Sequence, residues 1–122
     1  MDPYSNSRTH ARVTLDGGHA VTFIHAGRTF PGIPMMTLST GGFGLRLPEA
    51  VTAGMEPGQP VTGIRFEHPD LPGDVVEGVI THLLAQRHGK SEGFTLMGIR
   101  FVEPPPPFQV AVNAYVADHL VL

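Results

Sequence analysis

Arg8 and Arg12 stand four residues apart near the start of the chain, with His10 between them. A guanidinium presents a planar fork that meets phosphate, or the O6/N7 edge of guanine, through paired hydrogen bonds, and its face stacks on a purine. Two of them, on an extended or turn-like spacer of three residues, can reach around one small anionic ligand. Further along, Thr37-Leu38-Ser39-Thr40-Gly41-Gly42 closes a short strand in hydroxyls and glycines. The two glycines permit positive φ and the close approach of a ligand.

Other chemistry is thinly supplied. The chain has no cysteine, which excludes disulfides, thiolate metal centres and cysteine nucleophiles. His19 with His25, and His82 with His88, are each six residues apart. That spacing gives neither the helical i, i+4 pair nor the strand i, i+2 pair that converges on a metal. The histidines therefore read as scattered surface or strand residues, and no metal is expected. Glu67-His68-Pro69-Asp70 reads as a solvated loop without a nucleophile beside it. Neither a phosphate-binding Gly-x-x-x-x-Gly-Lys nor a dinucleotide fingerprint occurs, and no catalytic residue is assigned.

The elements that must position the arginines and the glycine turn are mostly strands. Fifteen glycines and twelve prolines are spread along 122 residues, a pattern of short strands and frequent turns. Alternating or β-branched stretches fall at residues 12–15, 20–25, 33–38, 43–47, 60–67, 75–85 and 94–102. The stretch 75–85 also fits helical spacing, but Gly78 and the β-branched Val75, Val76, Val79, Ile80 and Thr81 favour a strand. Gly-Ile-Arg-Phe occurs twice, at Gly63–Phe66 and Gly98–Phe101, where a strand would turn Ile and Phe to one face and Arg to the other. After the stiff run Pro104–Pro107, Phe108, Val112, Tyr115 or Val116, and His119 or Leu120 form an amphipathic stripe. It predicts one helix from about 107 to 120, with Pro107 as its first residue.

Arginine pairs and Ser-x-x-Gly turns each arise often by chance. In this order and setting, however, the chain resembles PilZ domains, bacterial receptors for cyclic di-GMP whose signature is RxxxR followed by (D/N)xSxxG. Arg8 and Arg12 match the first half; Ser39 and Gly42 match the second, with Thr37 where the family has an acid or amide. Gly54–Val61 looks like the loop into the family's next long strand, and Met97–Val102 like the strand before its final helix. The resemblance implies a mainly β fold, a PilZ-like antiparallel barrel of six to seven strands, of split-barrel type, with one C-terminal α-helix. Residues 1–11 would form a flexible arm and residues 12–122 a single domain.

It also implies a ligand and a site. Arg8 and Arg12 would hold guanine and phosphate of cyclic di-GMP, while Ser39, Gly41 and Gly42 frame the turn. Thr37 would replace a group that accepts from the guanine N1/N2 edge. A carboxylate accepts from two donors at once, a hydroxyl only as a neutral group. Losing one charge-assisted bond costs on the order of 1.5–3 kcal/mol, or one to two powers of ten in affinity. The resemblance thus implies a non-catalytic receptor, needing no cofactor, that orders its arm on binding and changes a surface for an unidentified protein partner. The alternative is a degenerate PilZ-type adaptor that binds partners and takes cyclic di-GMP weakly or not at all.

Charge and hydropathy bound the partners. Eight Lys and Arg against eleven Asp and Glu give a net charge of −3, no footprint for duplex nucleic acid. The first seven residues lack the apolar core of a signal peptide, and no apolar run approaches the roughly 18–20 residues that span a bilayer. A soluble cytoplasmic protein without membrane insertion is expected.

Overall fold

A computed structural model describes residues 11–86 and 93–120. Seven strands follow one another: β1 (Arg12–Thr14), β2 (Ala20–His25), β3 (Arg28–Ser39), β4 (Gly42–Pro48), β5 (Pro60–Glu67), β6 (Val76–Gln86) and β7 (Phe94–Val102). One turn of 3-10 helix, Glu49–Thr52, follows β4, and the helix α1 (Pro106–His119) ends the described chain. Every pairing is antiparallel, in the order β3-β2-β5-β6-β7-β4. β4 pairs back with β3 and closes a six-stranded barrel, while β1 adds a seventh strand along the free side of β3's second half.

β3 explains how one strand serves three neighbours. Its first half pairs with β2 and its second half lies between β1 and β4. It starts five residues earlier than the sequence suggests, because Pro31 and Pro34 disguise it. The turn Ala26-Gly27 has both residues at positive φ (50° and 79°), the handedness that matches strand twist in a two-residue hairpin. Gly32, also at positive φ (63°), sits with Pro31 where the β2 register shifts between Val21 and Phe23. A bulge there tolerates a residue that cannot donate a ladder hydrogen bond. The stretch 76–86 is a strand, as its β-branched residues require.

The barrel interior is filled by alternating residues. On β4, Phe43, Leu45 and Leu47 point inward; on β7, Met97, Ile99 and Phe101 do so. Both copies of Gly-Ile-Arg-Phe bury Ile and Phe and expose Arg, on β5 and on β7. The helix α1 buries Phe108, Val112, Tyr115 and Val116. Phe108 lies 5.7 Å from Phe66 and 5.1 Å from Phe101, ring centre to ring centre, so the helix stoppers one end of the core with aromatic contacts. α1 begins at Pro106 rather than Pro107, with both prolines in its first turn, where missing N–H groups leave no helical acceptor unmet.

Candidate functional site

Arg12, Thr37, Ser39, Gly41 and Gly42 line one cleft of about 230 Å³ on the outside of the sheet. Strand pairing brings them together. Arg12, exposed at the start of β1, lies opposite Ser39, and Thr37 lies between Thr14 of β1 and Gly44 of β4. Ser39 Oγ sits 3.1 Å from both the amide nitrogen and the carbonyl oxygen of Gly42, so the side chain itself closes the β3–β4 turn. Arg8 and His10 lie outside the described residues, as does the arm up to residue 10.

The glycines work differently from the sequence expectation. Neither Gly41 nor Gly42 has positive φ. What Gly42 requires is space: a Cβ there would fall 2.0 Å from the carbonyl oxygen of Ile99 on β7. Gly44 is constrained in the same way, since its Cβ would meet Thr37 Oγ1 at 2.6 Å. Thr37 therefore lays its hydroxyl over a bare stretch of β4, facing into the cleft.

The far wall of the cleft comes from β6 and β7 and was not foreseen. Gly98 pairs with Gly44 on one side and His82 on the other, and Arg100 pairs with Gly42. Thr81, His82 and Arg100 line the cleft with Gly98. Among the described residues, three basic side chains, Arg12, His82 and Arg100, thus line the cleft and no Asp or Glu does. That is an anion-seeking surface on a chain of net charge −3. The available signals were the outward Arg of the second Gly-Ile-Arg-Phe and a glycine in mid-strand, which often marks close approach of another group.

Outside the cleft, His19, His68 and His119 gather around Tyr115, which corrects the sequence reading for those three, while His25 stands apart on β2, paired with Gln59. Buried His19, between β1 and β2, stacks on His68 with ring centres 3.9 Å apart, and its Nε2 is 2.7 Å from the Tyr115 hydroxyl on α1. Tyr115 stacks in turn on His119 at 3.9 Å. Burial holds the His19 pKa below the ordinary histidine value, helped by the neighbouring His68 and His119 and opposed by Asp16 and Asp70. Burial also raises the Tyr115 pKa, with Asp70 and Asp16 adding to it, so its hydroxyl stays protonated at neutral pH. Sequence spacing could not reveal this cluster, because its members come from the β1–β2 connection, the β5–β6 connection and helix α1. Among the described residues no three His, Asp or Glu side chains are placed to hold a metal.

The turn and the helix are also joined. Gln109 Nε2 donates to the Thr40 carbonyl oxygen at 2.7 Å and to Asn113 Oδ1 at 2.7 Å. Phe101 N–H donates to the Gly41 carbonyl at 2.9 Å.

No family model and no curated protein matches the sequence. Solved structures do match in shape. The PilZ domain of Escherichia coli YcgR, with cyclic di-GMP, superposes with a TM-score of 0.74 at 16% identity, over 92% of this chain and 90% of that domain. The chain has the fold of a PilZ domain. K. pneumonia MrkH in its apo state shares this PilZ fold with a TM-score of 0.77 at 12% identity, over 98% of this chain and 51% of MrkH. The MrkH–cyclic di-GMP complex gives 0.75 at 13%, over 91% of this chain and 51% of MrkH. The chain therefore spans about half the length of MrkH and nearly all of the YcgR domain.

Proposed function

We propose that this PilZ-fold domain is a non-catalytic receptor for cyclic di-GMP. The observation that carries the reading is the convergence of Arg12, Thr37, Ser39 and the Gly41-Gly42 turn on one cleft whose charged lining, among the described residues, is basic. Solved proteins of the same fold, YcgR and MrkH, hold cyclic di-GMP. Arg12 meets phosphate or guanine through its fork, Ser39 keeps the turn shaped, and Thr37 offers a neutral acceptor. Arg8, four residues before Arg12, closes over the ligand as residues 1–11 order on binding. The ordering entropy lowers affinity and couples occupancy to a change of surface.

The signal leaves through the turn. The Thr40–Gln109 bond joins the cleft rim to the exposed side of α1, where a protein partner would read the change. A second reading is favoured by Thr37 alone: with no acid at that position, the domain would be a degenerate adaptor that binds partners without the nucleotide. Thermal melting with cyclic di-GMP separates the two. The receptor reading expects a saturable rise in Tm that Arg8→Ala diminishes and Arg12→Ala abolishes; the adaptor reading expects no rise.

A further inference from the structure

We infer that His82 is a ligand-contacting residue on the wall of the cleft opposite Thr37, where its ring meets an anionic phosphate. The inference rests on the receptor reading above. Its basis is the register of five strands: Thr14, Thr37, Gly44, Gly98 and His82 stand in one transverse row across β1, β3, β4, β7 and β6. The two central positions have no side chain. The row is therefore a trough, with the Thr37 hydroxyl on one bank and the His82 ring on the other. The Thr37 hydroxyl lies over Gly44 and the His82 ring over Gly98, so the two polar groups stand over neighbouring, directly paired strands.

The positions of the two banks depend on this bare floor. A Cβ on Gly98 would lie 2.2 Å from His82 Cε1 and 2.6 Å from Thr81 Oγ1, so the ring lies across β7 only because residue 98 is glycine. The register shift between Ile80 and His82 puts Thr81 and His82 both on the exposed face, where a regular strand would turn one of them inward. Thr81 Oγ1 sits 3.1 Å from His82 Nδ1. With Nδ1 engaged, Nε2 is the nitrogen that can turn to a ligand.

The surrounding charges fix the sign. Arg100 faces the cleft from β7 and Arg12 from β1, while β3 and β4 present Thr37, Ser39 and glycines. Arg46, further along β4, is held over the Phe94 ring at 4.5 Å. On the β5 side, the preceding loop bonds Ile80 through Gly58 and Gln59 and carries Glu56 as its one charged group. With no carboxylate among the described residues that line the trough, a bound phosphate is the natural partner of His82 Nε2 there.

The test is cyclic di-GMP titrated calorimetrically into the whole chain at neutral pH, alongside His82→Ala, His82→Lys and Arg12→Ala. His82→Ala is expected to bind about tenfold more weakly than the wild-type chain, while His82→Lys, which restores a donor, recovers most of the affinity. The Tm of each variant without ligand checks that the fold is kept. Wild-type and His82→Ala curves that coincide, with Arg12→Ala still abolishing binding, overturn the role of His82 and leave the receptor reading intact. Absence of binding by the wild-type chain overturns both.

Discussion

Gly42 and Thr37 fix the cleft at the level of single atoms, and each makes its own prediction. A methyl group at position 42 would collide with the Ile99 carbonyl oxygen at 2.0 Å, a backbone atom that cannot swing aside. Gly42→Ala is expected to destabilise the domain by about 1–3 kcal/mol, read as a lower midpoint in urea, and to impair the turn. Thr37 has the opposite character: its hydroxyl already points over Gly44, and a carboxylate there would add a charged acceptor facing Arg12. Thr37→Asp is expected to tighten cyclic di-GMP by one to two powers of ten in a calorimetric titration, on the order of 1.5–3 kcal/mol. No change would mean that Thr37 does not touch the ligand. The sequence made the identity of these residues legible, but not the reason for Gly42. Its constraint comes from β7, more than fifty residues away, and no local pattern carries that information.

At the scale of elements, helix α1 is held to the barrel by two different devices. Phe108 fills the end of the core, and Tyr115 is clasped by histidines at positions 19 and 119. The second device is sensitive to acid. Burial lowers the His19 pKa in the folded chain below its unfolded value of about 6.5, so the folded state prefers the neutral ring. The stability this contributes is present above pH 6.5 and is lost as pH falls toward and through the lowered folded-state pKa. Tm should therefore drop between pH 7.5 and pH 5, and His19→Phe should flatten part of that drop; an unchanged slope in the variant would assign the acid sensitivity elsewhere. The amphipathic stripe of α1 was legible because Phe108, Val112, Tyr115 and Val116 repeat at helical spacing within one segment. β3 was only half legible, since its opening residues carry two prolines, of which Pro31 sits at a bulge. The His82–Arg100 wall was not legible, because it exists only once β6 and β7 pair with the register shift beside His82.

At the scale of the whole molecule, a net charge of −3 coexists with one cleft whose charged lining, among the described residues, is basic. Charge of the opposite sign elsewhere discourages extended polyanions, while the local cluster draws a small one. The affinity for cyclic di-GMP should accordingly weaken as salt rises from about 0.05 to 0.5 M, with partial retention because the site is a recess rather than an open face. The same distribution accounts for how a PilZ fold survives at 12–16% identity to its solved neighbours. The barrel needs only inward apolar residues in alternation, whereas the cleft needs a few particular residues on five strands and the turn between β3 and β4. The most direct test of the account is calorimetry of the purified chain with cyclic di-GMP at neutral pH. It predicts a saturable exothermic isotherm that Arg12→Ala eliminates without changing Tm in the absence of ligand. No heat at roughly tens of micromolar nucleotide, or an isotherm indifferent to Arg12, would contradict it.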